Sequence, residues 1–503
     1  MNSSLRFWIT IFAVSVAGLL LRLHFAAEPL WLDELHTAWC VDAPASRISN
    51  RAGQGNQTPL FFWLSAGITA VSNFSPLSLR FISLLCGTAA ILIAARFVFR
   101  ASNNVAAAVT TAVLIASDPN LLFYSSEARP YAMLQLLSLM QFLAIVTLLQ
   151  NDKRPRQFSW SIALLTFLVL STHLTGGLLI AAELAILAWL RPRNIQPILT
   201  SLSLGCLAAA PLMLVALSVF ENRGQWSPAS GASQLFDGWR NPLLFQWLPA
   251  VTILAKTWPS ANWQAKALVN GYKCIVILRS TTVLVAAWMI APLLLSLILD
   301  RFSIPIASYR YTTVASLAPP VLIGLAIGLV QSRNMATVCA FMIVVGDLAI
   351  NPITFSQIHD AQLPQYRVED WESTIRFANN AQDETEKLVF LFSNIYEDAH
   401  ALQDKSLQSY LCFPVRGIHK LDVDKTVIPM PTLVQSPWNS EHLQPLIKNG
   451  GALAICRVDD HRLNQIQNEL SSALKKYAAS VDFELFSQPG NSLKVLRFVV
   501  DQD

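Results

Sequence analysis

The feature that most constrains this chain is a succession of apolar runs, each long enough to cross a bilayer. A helix needs about 20 apolar residues to span hydrocarbon, or about 17 at the short end. Residues 7–27, 79–99, 105–122, 131–149, 158–174, 176–190, 195–220, 280–299, 314–330 and 335–350 supply ten such runs. Residues 59–74 and 242–257 are weaker, the second being interrupted by Pro249. Charged residues make up only 14% of the 503 positions, against roughly 25% in soluble domains, which excludes a freely soluble enzyme. Disorder is excluded as well, because 53% of the residues are hydrophobic.

Charge sorts the chain into two parts. Residues 1–350 carry 22 Lys+Arg against 12 Asp+Glu, whereas 351–503 carry 14 against 20. The basic residues of the first part sit in short loops between apolar runs, which points to membrane topology rather than to nucleic acid. With the N-terminus inside and 242–257 crossing, Arg100, Lys153, Arg154, Arg156, Arg191, Arg193, Lys266, Lys273, Arg279 and Arg333 fall on the inner side. Asp152 is the one acid among them. About eleven membrane helices result, with the outer-face loops at 28–78 and 118–130 and an acidic tail outside. The run at 59–74 has Thr58 as a natural N-cap and Pro59 at the first helical position, and reads as an apolar helix in the interface. Were it to cross, everything after it would be inverted. The first run lacks a small-residue cleavage site and reads as an uncleaved membrane helix.

The expected fold is therefore an α-helical polytopic membrane protein over 1–354 with a C-terminal α/β soluble domain over 355–503. In the tail, 369–380 and 463–478 read as helices, and 388–393 and 452–458 as strands. Residues 483–486 and 493–500 read as strands paired around Pro489-Gly490-Asn491. Cys412 and Cys456 are the candidate pair for a disulfide if the tail is extracytoplasmic. No CxxC or Cys/His spacing demands a metal. No cofactor is required, although the loop carboxylates leave room for a divalent cation.

Polar residues with chemistry collect on the outer side of this topology. The first outer loop contains Leu30-Trp31-Leu32-Asp33-Glu34-Leu35-His36-Thr37-Ala38-Trp39, and a second contains Ser125-Ser126-Glu127-Ala128-Arg129-Pro130-Tyr131. Ser308-Tyr309-Arg310-Tyr311 precedes a late span; Arg22 lies near the outer end of the first, and His173 in an outer turn. Each has an ordinary reading by itself: a solvated acidic loop, a surface ion pair worth about 0–1 kcal/mol, a snorkelling arginine. Their convergence on one face suggests more. Carboxylates serve as bases, and arginines grip a phosphate through paired hydrogen bonds. Glu183 and Asp347, acids within apolar runs, are further candidates to line a cavity.

Several strings resemble a family. LWLDELHTAW is similar to the Asp-Glu loop of polytopic GT-C-fold glycosyltransferases related to protein O-mannosyltransferases and the lipid A aminoarabinose transferase. Gln57-Thr58-Pro59-Leu60-Phe61-Phe62 resembles their His-Pro-Pro-Leu-Tyr-Tyr segment, with Gln57 and Thr58 in place of His-Pro. Ser78-Leu79-Arg80-Phe81, SSEARPYAML, Arg310-Tyr311 and Asp370-Trp371 resemble further family segments, in order along nearly the whole chain. The resemblance implies inverting transfer of a sugar from a polyprenyl-phosphate donor to an acceptor at the extracytoplasmic face of a bacterial inner membrane. It implies Asp33 as the catalytic carboxylate, Glu34 as its partner and Glu127 as an acid shaping the site. Arg129 and Arg310, with the adjoining Tyr131 and Tyr311, fall at positions expected near the donor phosphate. Arg22 and His173 are expected there by location. The implied partners are the donor lipid, an acceptor of unspecified kind and the bilayer, with no nucleic acid. Two readings from other classes compete: a lipid-carrier flippase or transporter, whose site belongs near the bilayer midplane, and a membrane-anchored binding or sensor protein whose tail does the work.

The topology is directly testable. Reporter fusions after Asn151, Gly231, Arg333 and Asp360 are expected to read inside, outside, inside and outside. An inside signal after Asp360 would remove the convergence of polar residues on one face.

Overall fold

The computed structural model describes residues 3–150, 155–190, 192, 195–220, 230–257, 273–350, 369–380, 387–434, 437–477, 479–487 and 492–502. In chain order the first helices are α1 (Ser3–Phe25), α2 (Leu32–Val41), α3 (Ala45–Gln54), α4 (Leu60–Val71) and α5 (Pro76–Ser102). There follow α6 (Val105–Ser117), α7 (Pro119–Ser126), α8 (Tyr131–Gln150), α9 (Pro155–Thr172), α10 (Gly176–Leu190) and α11 (Ile195–Phe220). The helical part closes with α12 (Ala232–Asn241), α13 (Leu248–Thr257), α14 (Lys273–Arg301), α15 (Ala318–Gly328) and α16 (Arg333–Ile350). Two compact bodies result. One is built from Met1–Ala27, Gln57–Val215 and Ser227–Gln365, the other from Glu28–Asn56, Ala216–Trp226 and Tyr366–Asp503. The first outer loop, with α2 and α3, thus groups with the tail.

The helical body is that of a polytopic membrane protein. Among the described residues, five helices are long and apolar enough to cross a membrane, or six if α6 and α7 form one bent span. Shorter apolar helices cover Leu60–Val71, Ser159–Thr172, Gly176–Leu190 and Thr313–Gly328. Large apolar side chains point outward, among them Phe12, Leu20, Leu207 and Phe341, as expected where the surroundings are hydrocarbon. Inside, hydroxyls are returned to the backbone: Thr110 to the Ala106 carbonyl, Thr172 to Leu168, and Thr111 to both Ala107 and Pro320. These three hydroxyls are thereby satisfied without water.

Helix ends follow from local chemistry. Ser75 caps α5 by accepting from the Ser78 N–H at 3.2 Å, with Pro76 in the first turn. Asn103 ends α5 in the left-handed region (φ 50°), and Asn104 starts α6 by accepting from the Ala107 N–H. The sequence run 105–122 reads as one continuous span, but the structure bends it by 58° between α6 and α7. Pro119 is the cause: it has no N–H to donate and forces the preceding Asp118 into extended backbone, where the Asp118 carboxylate caps α7 through the Leu121 N–H at 2.9 Å. The run 242–257 is helical throughout but not uniformly α. A π-helical turn over Pro242–Trp247 leads into α13, and the Leu248 N–H reaches back to Leu243. This wider turn accommodates Pro249, whose ring would clash with an α-helical carbonyl. The loop positions of Lys153, Arg154, Arg191, Arg193 and Lys266 lie outside the described residues.

The second body holds a five-stranded mixed sheet of β1 (Leu388–Phe392), β2 (Thr426–Pro429), β3 (Gly451–Cys456), β4 (Ala479–Ser487) and β5 (Lys494–Gln502). The order is β2-β1-β3-β5-β4, with β1 parallel to β2 and β3, and β5 antiparallel to β3 and β4. Strands β1 and β3 are buried at every residue, as continuous apolar strands between two covering layers are. Helices Ser440–Asn449 and Asp460–Leu474 pack Leu446, Ile466 and Leu470 against Phe390, Phe392 and Phe498. The expected helices and strands of the tail are therefore present. Strand β2, ending in Pro429, is an addition that sequence periodicity does not announce. The expected turn at 489–491 lies outside the described residues. Cys412 and Cys456 are both free, correcting the disulfide expectation. Cys456 is enclosed in the sheet, and burial pushes its thiol up to about 12 and that of Cys412 to about 11.

Close packing of α6 against α15 depends on Gly324, where an added Cβ would run into the Thr111 hydroxyl and approach the Ala107 carbonyl at 3.0 Å. Gly67, by contrast, has open space around it. Gly324→Leu is expected to lower stability by about 1–3 kcal/mol through overpacking, seen as a reduced melting temperature in detergent. Gly67→Leu should leave it unchanged, and equal effects would refute this packing role.

Candidate functional site

Two clusters contain the residues singled out by sequence, one in each body. In the helical body the cluster lies where α7 ends, α8 begins, α9 turns into α10 and a short 3-10 segment, Tyr309–Tyr311, precedes α15. Pro130 starts α8, its carbonyl accepting from the Leu134 N–H at 2.9 Å, so Glu127 and Arg129 sit just before the helix. Both are buried. The Arg129 carbonyl is held by the Ser83 hydroxyl at 2.9 Å.

Tyr131 is the hub. Its hydroxyl accepts a hydrogen bond from Arg310 Nε. The Arg310 guanidinium lies 5.4 Å from its ring centre and that of Arg129 6.0 Å. His173 packs on the same ring at 5.4 Å. The Thr175 N–H donates to His173 Nδ1 at 3.1 Å, so a neutral ring carries its proton on Nε2. Tyr124 meets Tyr131 edge-on at 4.9 Å and stacks with Tyr309 at 5.9 Å. Trp239 supports Tyr309 at 5.1 Å and is fixed by donating from its indole N–H to the Thr312 hydroxyl. The structure thus brings together Arg129, Tyr131, His173 and Arg310. Two fixed guanidiniums on an aromatic wall suit a phosphate.

Arg22 is placed differently. It is fully buried in α1, where Nη1 donates to the Gly18 carbonyl and Nη2 to that of Ile115. Its guanidinium ties α1 to the end of α6. Glu183 accepts from the Gln141 side chain at 2.6 Å between α10 and α8, and Asp347 is buried in α16. Tyr311 belongs to the 3-10 segment.

Asp33 and Glu34 belong to the second body, in the first turn of α2. There they differ sharply. Glu34 is fully buried and its carboxylate accepts from the Trp31 N–H at the helix start, half of a capping box. Asp33 is half-buried and keeps an accessible face. The start of α2 is held by Glu369, whose Oε2 accepts from the Leu32 N–H at 3.0 Å and from the Trp371 indole at 3.1 Å. Arg457 pairs with its other oxygen at 2.8 Å. Sequence reasoning missed Glu369, Tyr124 and Trp239; Glu369 stood one residue before the noted Asp370-Trp371, and Tyr124 one residue before Ser125 of the second-loop string. Among the described residues, no group of three or more His, Cys, Asp or Glu is arranged to hold a metal.

Residues 56–217 match the family described as dolichyl-phosphate-mannose-protein mannosyltransferase. The chain is similar in fold to the crystal structure of ArnT from Cupriavidus metallidurans in the apo state, at 13% identity and a TM-score of 0.57 over 99% of this chain and 98% of that one. ArnT bound to undecaprenyl phosphate gives 12% and 0.55, covering 97% of each chain. The archaeal oligosaccharyltransferase AglB from Archaeoglobus fulgidus, in complex with an inhibitory peptide and a dolichol-phosphate, gives 11% and 0.51 over 99% of this chain and 74% of that one. Comparison with curated proteins finds no match. The fold is ArnT-like.

The roles read for the α2 start make a test. Glu369→Gln keeps the shape but removes the charge that Arg457, Leu32 and Trp371 share; hydrogen bonds to charged groups are worth about 1.5–3 kcal/mol. Faster proteolysis within 28–56 and a lower melting temperature are expected. A proteolysis rate unchanged in Glu369→Gln would show that other contacts hold the loop.

Proposed function

We propose that this protein is an inverting membrane glycosyltransferase that moves a sugar from a polyprenyl-phosphate donor to an acceptor at the extracytoplasmic face of a bacterial inner membrane. The observation that carries the proposal is the Arg129–Tyr131–His173–Arg310 cluster at one end of a helical body. That body shares its fold with ArnT bound to undecaprenyl phosphate and with AglB in complex with a dolichol-phosphate. About eleven spans, an outer-face tail over 355–503 and a transmembrane catalytic part over 1–354 belong to the same proposal.

In the proposed reaction an acceptor hydroxyl attacks the anomeric carbon as the bond to the donor phosphate oxygen breaks. The electron pair leaves with polyprenyl phosphate, and the hydroxyl proton passes to a carboxylate. Direct displacement inverts the anomeric centre. Charge develops on the departing phosphate, where preoriented donors lower the barrier most. We assign that task to Arg129 and Arg310, with the His173 Nε2–H as a neutral third donor. Asp33 is assigned as the base from its match to the family's first-loop carboxylate and from its accessible face, whereas Glu34 is engaged at the helix start. Tyr131 and Tyr311 are assigned to the donor site by their adjacency to the arginines, and Glu127 to its shaping. A divalent cation would share the charge, but no step here requires one.

Lipid-linked sugar profiling in cells lacking the protein is expected to show an accumulated polyprenyl-phosphate sugar, cleared by the wild-type chain. Asp33→Asn should insert normally yet clear it about 10²–10⁴-fold more slowly, the usual scale of general-base catalysis. Glu34→Gln should lose less than Asp33→Asn. Arg310→Lys keeps the charge but loses the fork, and is expected to weaken transfer by roughly tenfold or more. Normal clearance by Asp33→Asn and Glu34→Gln alike would contradict the reaction.

A further inference from the structure

Glu183 is 3% exposed in α10, and no part of the transfer reaction uses it. Ile180 and Leu187, its neighbours on the same helix face, belong to an apolar cluster that also contains Ile145 of α8. One carboxylate oxygen, Oε2, accepts from the Gln141 amide at 2.6 Å. The other, Oε1, has no hydrogen-bond partner. Among the described residues no lysine, arginine or histidine pairs with this carboxylate, and a neutral amide is its one partner. A carboxylate taken out of water is costly unless a positive charge or several donors accompany it. Acids within apolar helices therefore mark functional sites by default.

Two further oxygens share this position. The Gln141 amide presents its nitrogen to the carboxylate, which leaves its own Oε1 as an acceptor without a partner. Ser138 lies three residues earlier in α8, so its Cβ is about 5–6 Å from that of Gln141. It is fully buried. Thr110 and Thr172 return their hydroxyls to the carbonyl four residues back, whereas the Ser138 hydroxyl has no partner. Phe142, next to Gln141, stacks on Trp288 of α14 at 4.6 Å and sets an aromatic wall beside the group.

We propose that Glu183, Gln141 and Ser138 form a binding site for a monovalent alkali cation inside the helical body. A proton would satisfy one of the three oxygens, whereas a cation engages all three. Carboxylate, amide carbonyl and hydroxyl oxygens suit hard cations rather than soft ones. Charge selects the valence: one carboxylate balances one positive charge, and a divalent ion would leave an excess in apolar surroundings. The site is separate from the arginine cluster. At 1.5 Å per residue, Glu183 lies about 10 Å along α10 from Gly176, and Gln141 about 15 Å along α8 from Tyr131. The cation ties together two helices whose near ends carry Tyr131 and the His173 turn. The site rests on these contacts and not on the transfer reaction, so its failure would leave that reaction standing.

The test uses the full-length chain, purified in detergent and dialysed into choline chloride. Melting temperature is read as sodium chloride or potassium chloride replaces choline chloride at constant ionic strength. A ligand that binds the folded state raises the melting temperature saturably with its concentration. Such a rise is expected for at least one alkali cation, and the larger response identifies sodium or potassium as the ion. Glu183→Gln should fold and lose the response. Ser138→Ala should keep it but need about tenfold more cation for half the effect, the scale of one lost contact to a charge. Equal melting temperatures in all three salts would overturn the site, as would an undiminished response in Glu183→Gln. Should Glu183→Gln fail to fold, an unchanged half-effect concentration in Ser138→Ala would overturn it instead.

Discussion

Hydrocarbon offers no partner for a peptide group that leaves its helix, so every irregularity in a membrane-spanning chain has to carry its own hydrogen-bond partner. The helical body follows this constraint wherever it bends. At the break between α6 and α7, Pro119 removes a donor and the Asp118 carboxylate takes up the Leu121 N–H. At the end of α6, the carbonyl of Ile115 is met by Arg22 from the neighbouring helix. Near Pro249 the chain widens into a π turn, in which the Leu248 N–H reaches the Leu243 carbonyl. These accommodations let short, bent pieces end at one level, where a polar cluster can be assembled from four separate segments.

That cluster also explains why its members are aromatic as often as charged. An arginine that is to meet a ligand has to be held in place. Tyr131 does this for Arg310 through its hydroxyl and ring, and Tyr124 and His173 brace Tyr131 in turn. The second body uses the same device at Trp39 and Arg51. There the guanidinium is anchored by a ring and a carbonyl.

Much of this was legible in the sequence because two signals are strong: the length of apolar runs, and the clustering of Asp, Glu and Arg in a few loops. The tail's strands were legible from continuous apolar stretches such as Leu388–Phe392. What periodicity could not convey is contact between distant segments. Glu369 supports the start of α2 from 337 positions away, and nothing in the local sequence of either partner records the other. For the same reason Arg22 read as a residue of the site, although its charge is directed into helix packing. Adjacent acids in one string also read alike. Only the turn geometry of α2 separates a capping Glu34 from an accessible Asp33.

The central claim is that the paired arginines of the helical body hold the phosphate of a polyprenyl lipid. Native mass spectrometry of the protein, extracted from its own membrane in mild detergent, tests this most directly. The account predicts a bound polyprenyl phosphate on the wild-type chain, and its loss from an Arg129→Ala, Arg310→Ala double variant that still melts as a folded protein. A double variant carrying as much polyprenyl phosphate as the wild type, or a wild-type chain that binds none when the lipid is supplied, would contradict it.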